Sequence, residues 1–267
     1  MSATGPLVFA HRGSSQVMPE HTLAAYRQAL REGADGLECD VRMTRDGHLV
    51  CVHDRRLDRT SNGRGRVSTR TLAELQLLDF GSWHAGAADD MPSDIPLDPD
   101  RTRLLTLDRL LHEVRAAGRP VELLVETKHP TRYGGDVERR LVDLLRRHGL
   151  ADPGPDDPVR VTVMSFSPLA VRRIRELAPR LPTVMLLTDV FPRPLWSGRL
   201  PFGVRIAGPS INLVRARPRL VTALKEAGNR VFVWTVNESD DIELVLDCGV
   251  DGIITDRPAT VLTRLGR

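Results

Sequence analysis

The chain is poor in aromatic residues: six Phe, three Trp and two Tyr make up 4% of its 267 residues. So sparse a set argues against a surface that stacks nucleic-acid bases. Charge of one sign is also missing. The 38 Lys+Arg face 35 Asp+Glu for a formal net charge of +3, and the arginines, which far outnumber the lysines, are scattered. No basic stripe marks a nucleic-acid partner. Cysteine is limited to Cys39, Cys51 and Cys248, an odd number with no CxxC or Cys/His zinc spacing. Cys39 and Cys51 sit inside apolar runs and are expected to be buried free thiols, which suits a reducing compartment. No apolar run approaches the roughly 20 residues of a membrane span. The first ten residues carry neither a basic region nor an apolar stretch long enough for a secretion signal. The expectation is a soluble cytoplasmic protein with no nucleic-acid partner and no stable membrane association; its oligomeric state is unknown from sequence.

What is present is ordinary globular composition, 41% hydrophobic and 27% charged. Apolar runs of strand length recur at 7–10, 36–41, 121–126, 159–165, 183–187, 204–207, 231–236 and 252–255. Most are continuous rather than alternating, the mark of strands covered on both faces. Between them lie segments of helical period at 22–31, 136–147, 168–177, 218–227 and 240–246. Gly33, Gly118, Gly149, Gly228 and Gly249 stand where left-handed helix ends are expected. One connection breaks the alternation: Asp46-Gly47 joins residues 38–41 to residues 49–53, a hairpin signal. A parallel neighbour would need a crossover of a dozen or more residues, so the second run is an antiparallel excursion that brings Asp40 near His53. The eight remaining parallel runs predict a single (β/α)8 TIM barrel spanning 1–267. Residues 55–104 do not fit the alternation and are expected to form a small inserted cap with one short helix near 72–78.

In such barrels chemistry gathers at the C-terminal ends of the strands. Those ends carry His11-Arg12, Glu38 and Asp40, His53-Asp54, Glu126 and Lys128, Ser165, Trp234 and Asn237, and Asp256. Glu38 and Asp40, at i and i+2 on one strand, point the same way. Paired carboxylates repel unless neutralised. One divalent cation would do so with Glu126 as third ligand, and oxygen-only donors favour Mg²⁺, Ca²⁺ or Mn²⁺; the alternative is an ordinary set of rim ion pairs. His11 and His53 could divide acid and base work, or each could be a structural residue. Arg12 and Lys128 could clamp a phosphate, or each could pair with one of the acids. Trp234 either walls a pocket for an alcohol moiety or fills the barrel. Ser165 and Asn237 could hydrogen-bond a ligand but are read first as structural, Asp256 is read as a helix N-cap before a site residue, and His48, His84, His112, His129 and His148 are assigned no role.

The ordered set His11-Arg12, Glu38-Cys39-Asp40 and His53-Asp54 resembles the HR, ExD and HD signature of the glycerophosphodiester phosphodiesterase family. Further blocks are similar: Pro19-Glu20-His21-Thr22, Leu57-Asp58-Arg59-Thr60, Leu105-Thr106-Leu107, Glu126-Thr127-Lys128, Ser165-Phe166, Trp234-Thr235-Val236-Asn237 and Thr255-Asp256-Arg257-Pro258. The chain departs from the pattern at His21, where the family usually has Asn, and at Leu105, where it usually has Pro. The resemblance implies a barrel with a capping insertion that hydrolyses glycerophosphodiesters to glycerol 3-phosphate and an alcohol. It implies His11 and His53 as general acid and base, Glu38, Asp40 and Glu126 as ligands to Mg²⁺ or Ca²⁺, and Arg12 and Lys128 on the phosphate. A lysophospholipase D-like phosphodiesterase and a non-catalytic barrel that binds phosphate esters are the rival readings. The first would need a larger apolar groove, and the second would be favoured by loss of either histidine. The stretch 89–100 resembles no family block and is expected to shape substrate choice.

Overall fold

The computed structural model describes residues 5–84, 98–154, 156–188 and 198–267. Its core is a closed barrel of eight parallel strands: β1 (Leu7–His11), β2 (Gly36–Met43), β4 (Val121–Thr127), β5 (Val159–Ser165), β6 (Thr183–Leu187), β7 (Ile206–Pro209), β8 (Arg230–Val233) and β9 (Gly252–Thr255). Closure comes from the pairing of β1 with both β2 and β9. Helices alternate with the strands. They include α1 (Leu23–Arg31), α4 (Leu107–Arg115), α5 (Asp136–Arg147), α6 (Pro168–Leu177), α7 (Ile211–Ala216), α8 (Arg219–Glu226), α9 (Ser239–Asp247) and α10 (Pro258–Arg264). Their starts are chemically set: the hydroxyls of Thr22, Thr106 and Ser167 accept the backbone N–H three residues on, satisfying donors the helix leaves unpaired.

The period of two divides the strands between layers. Phe9, Leu124, Met164, Val184, Leu186, Ile206, Phe232 and Ile254 fill the barrel interior. The residues between them, such as Ala10, Leu37, Cys39, Leu123 and Val125, pack outward under the helices. Phe9 and Phe232 lie 5.1 Å apart between ring centroids on the barrel axis. Gly36 makes room for them, since a Cβ there would come within 2.5 Å of the Phe9 ring. Cys39 and Cys51 are buried free thiols, as expected from their apolar surroundings.

Two strand expectations shift. Residues 204–207 become β7 at Ile206–Pro209, because the Val204 N–H is used in a turn to the Pro201 carbonyl. Residues 231–236 shorten to β8 at Arg230–Val233. The antiparallel excursion is β3 (Leu49–Cys51), paired with β2 in the register Val41↔Cys51. The expected register, centred between Asp46 and Gly47, is therefore one residue off. Asp40 faces Val52 rather than His53, and its carbonyl accepts the Val52 N–H. The cause is Gly47: with φ of +86° it adds a third, left-handed residue to the loop.

Within 55–104, α2 (Leu72–Gln76) starts at a capping box of Thr71 and Glu74. Leu57, Val67, Leu75, Phe80 and Leu104 form a small core with Val50 and Val52 of the hairpin. Short α3 (Pro99–Thr102) follows. Most of the 89–100 stretch, residues 89–97, lies outside the described residues. Among the described residues no helix is long and apolar enough to cross a membrane.

Candidate active site

On five strands the interior alternation runs on to a residue at the rim that carries a polar group. Phe9 is followed by His11, Leu124 by Glu126 and Lys128, Phe232 by Trp234, and Ile254 by Asp256; on β2, Gly36 is followed by Glu38 and Asp40. Glu38, Asp40 and Glu126 are all buried, and one oxygen from each lies within 4.8 Å of the others. The cross-strand register Asp40↔Glu126 brings them together. Lys128 Nζ stands 3.0 Å from Asp40 Oδ1 and 2.8 Å from Glu126 Oε1.

The electrostatics of the three acids differ. Burial raises the pKa of every carboxylate. At Asp40 this is outweighed by Lys128, the His21 hydrogen bond and Arg12, which hold it well below the usual carboxylate range. Burial, with the Asp40 charge adding to it, pushes Glu126 up to about 8. The same two causes raise Glu38 well above its ordinary value. Glu38 Oε2 accepts the Arg12 backbone N–H at 3.0 Å, while Oε1 is a buried oxygen with no partner among the described residues. Two reluctant carboxylates and an orphaned buried oxygen fit a divalent cation chelated by oxygen, the donor set expected for Mg²⁺, Ca²⁺ or Mn²⁺.

Both histidines are tethered through Nδ1 to a carboxylate. His11 Nδ1 is 2.7 Å from Asp256 Oδ1, and His53 Nδ1 is 2.7 Å from Asp54 Oδ1. Each tether leaves Nε2 as the nitrogen for a reactant. His11 Nε2 lies 4.0 Å from Glu38 Oε2, on the acid side of the rim. Burial lowers the His53 pKa to about 4. Asp256, expected as a helix cap, does not cap α10, whose N-cap position is Arg257. It is instead the anchor of a network, accepting from His11, Ser15 Oγ and Asn237 Nδ2. Burial works against its ionised form, but these hydrogen bonds win and lower its pKa to about 2. The signal that finds it is the inward alternation, Ile254 plus two; the following Arg257-Pro258, which looks like a helix start, obscures it.

Arg12 has φ of +57° and places Nε 3.1 Å from Asp40 Oδ2. It also donates to Glu20 Oε1 at 3.1 Å. From Glu20 the chain of contacts continues to Arg59, which donates to both Glu20 oxygens at 2.8 Å and to Asp54 Oδ2 at 2.6 Å. One guanidinium from the inserted segment thus joins the Arg12 side of the site to the carboxylate that holds His53. Glu20 and Asp54 both drop to about 2: burial opposes the change in each, and the Arg59 hydrogen bond is the largest effect that favours it.

His21 joins the same cluster through Asp40. It is buried, has φ of +61°, and sets Nε2 2.9 Å from Asp40 Oδ2 and Nδ1 2.7 Å from the Tyr26 hydroxyl. Burial lowers its pKa, favouring the neutral ring. A neutral ring has one N–H, and a carboxylate can only accept. Nε2–H therefore donates to Asp40, while Nδ1 lies against the Tyr26 hydroxyl, whose own O–H also reaches the Glu38 carbonyl at 3.1 Å. Trp234 is half-buried over the interior cluster, donates Nε1–H to the Gly208 carbonyl at 2.7 Å, and meets exposed Phe166 edge-on at 5.3 Å. Lys128 Nζ lies 5.9 Å from the Phe166 ring centre. Ser165 is structural, donating to the Thr127 carbonyl, and Asn237 holds Asp256. Leu105 is buried, and its carbonyl accepts the Cys51 N–H.

Known proteins resemble this chain along nearly its whole length. The pattern of the glycerophosphoryl diester phosphodiesterase family matches residues 11–260. The chain is 51% identical over 255 residues to a probable glycerophosphodiester phosphodiesterase 1 of Mycobacterium tuberculosis, covering 95% of this chain and 90% of that protein. It is 34% identical to a glycerophosphodiester phosphodiesterase of Bacillus subtilis, over 94% of this chain and 84% of that one. Among solved structures, a phosphodiesterase from Oleispira antarctica, in complex with the product sn-glycerol-3-phosphate, superposes with a TM-score of 0.80. It is 25% identical and the match covers 98% and 97% of the two chains.

Proposed function

This chain belongs to the glycerophosphoryl diester phosphodiesterase family, and on that premise we propose that it hydrolyses glycerophosphodiesters to glycerol 3-phosphate and an alcohol by acid–base catalysis between His11 and His53. The observation that carries the reading is the pair of imidazoles, each held through Nδ1 by its own carboxylate at 2.7 Å. A binding protein has no need of two oriented proton carriers. His53, with its pKa lowered to about 4, is neutral at neutral pH and suits the base. It takes the proton from the oxygen that attacks phosphorus: a water, which gives glycerol 3-phosphate directly, or a hydroxyl of the substrate's own glycerol, which gives a cyclic phosphate that a water then opens by breaking one ring P–O bond. His11 gives a proton to the departing alcohol oxygen as the P–O bond breaks.

Glu38, Asp40 and Glu126 would hold one divalent cation. When bound it supplies positive charge that offsets the phosphate oxygens and polarises the ester. Arg12 and Lys128 sit beside the same acids and would share the phosphate. Their present pairing with Asp40 and Glu126 keeps them at the rim, charged and desolvated, where electrostatic contacts are strong. Trp234 and Phe166 would wall the glycerol or alcohol side. His21 would steady Asp40. The segment 55–104 would serve as the cap over the mouth.

His11→Ala and His53→Ala are expected to lower turnover of a glycerophosphodiester by about 10²–10⁴-fold, the usual worth of a positioned proton carrier, with circular dichroism unchanged. Wild-type turnover by either variant would remove the assignment.

A further inference from the structure

A second group of ligating side chains lies on the outer helices, and none of its members belongs to the rim. Asp108 and His112 stand at i and i+4 on α4, so they share one face of that helix. His148 is the residue that caps the C-terminus of α5. It reaches across with Nε2 2.9 Å from Asp108 Oδ1, while His112 Nε2 is 4.0 Å from Asp108 Oδ2. The two imidazoles meet edge-on with ring centres 4.8 Å apart. One ligating atom from each of the three residues falls within 4.8 Å of the other two.

Two imidazoles and a carboxylate are not the donors of a hard cation. They are the set that Zn²⁺ and the neighbouring late first-row divalent ions prefer, and three protein ligands leave one position for water. With metal–ligand bonds of about 2.0–2.1 Å, the edge of a tetrahedron around zinc is roughly 3.3 Å. His148 Nε2 is 2.9 Å from one Asp108 oxygen and His112 Nε2 is 4.0 Å from the other, close enough for side-chain rotation to bring one oxygen and both nitrogens to that edge. The His148 side chain is largely buried at 8% exposure, so one ligand is already fixed, while Asp108 and His112 are open at 58% and 64% and can close on an ion from solvent. The backbone is held as well: Arg115 donates to the His148 carbonyl, and the His148 N–H donates to the Leu144 carbonyl.

We propose that Asp108, His112 and His148 form a zinc-class metal site that staples α4 to α5, distinct from the three-acid rim and with no part in the hydrolytic chemistry. An ion there closes a chain segment of 40 residues between Asp108 and His148 and adds stability in proportion to its occupancy.

The test uses full-length protein stripped with EDTA, uniformly ¹⁵N-labelled on histidine, and titrated with Zn²⁺ alone. At the first equivalents of zinc the imidazole resonances assigned to His112 and His148 should move together. Calorimetry should show one site lost, or weakened at least tenfold, in His112→Gln, at an exposed position, and in His148→Gln. Glu126→Gln should keep this site. Thermal stabilisation by zinc should fall in the His112→Gln protein. If zinc moves neither imidazole, or if His112→Gln binds zinc with wild-type stoichiometry and affinity, the ion binds only at the rim or nowhere, and the proposal is overturned.

Discussion

At the scale of single residues the site is a matter of which nitrogen is tied down. Asp256 and Asp54 do the same work for two imidazoles, and each is itself lowered to about 2 and so stays ionised across the working range. His53 is also lowered, to about 4, because burial disfavours the imidazolium. The sign follows directly: a lowered pKa means the base form survives to lower pH. The acid limb of kcat/KM, measured with saturating cation, is expected to lie nearer pH 4 than the ordinary histidine value of about 6.5. A limb at 6.5 that disappears in His53→Ala would show that burial does not tune this base. His21 makes the complementary point. Its ring is fixed by Asp40 and Tyr26 rather than left for a reactant, although it is a histidine at the same rim.

Elements decide which residues can meet. The hairpin return of β3 was foreshadowed by spacing, whereas the adjacent-strand register Asp40↔Glu126 that joins the acids came from the barrel's pairing and not from spacing. The helices followed their periodicity closely, with α5 at Asp136–Arg147 and α6 at Pro168–Leu177 on the expected bounds. What spacing did not reveal was the left-handed Gly47, which slips the hairpin by one residue. Gly47→Ala forces a Cβ into that conformation and is expected to cost about 1–2 kcal/mol in urea unfolding; an unchanged midpoint would mean the turn relaxes freely. Nor did spacing reveal the chain Arg12–Glu20–Arg59–Asp54, because its members come from separate segments and each contact is set by tertiary packing. Arg59 is the single bridge of the inserted segment in that chain. Arg59→Ala is expected to lower kcat/KM about tenfold while leaving cation affinity in place, and Arg59→Lys should not rescue it, since one ammonium lacks the fork that engages both carboxylates. Full activity in Arg59→Lys would reduce the bridge to a surface ion pair.

Across the whole molecule, the barrel turns a simple alternation into a functional gradient. Phe9, Leu124, Phe232 and Ile254 form a dry interior, and one step further along the same strands stand His11, Glu126, Trp234 and Asp256. The apolar floor fixes the rim, and burial above it, with the Asp40 charge beside them, is why Glu38 and Glu126 resist ionisation. Fold and rim were legible together because one periodicity sets both; the surface cluster on α4 and α5 was not, since neither helix alone carries it. The claim on which the rest depends is that this rim needs a divalent cation to work. The direct measurement is release of glycerol 3-phosphate from a glycerophosphodiester before EDTA, after EDTA, and after adding back Mg²⁺, Ca²⁺ or Mn²⁺. The account predicts that release stops on chelation and returns with at least one of the three ions; undiminished release in EDTA would contradict it.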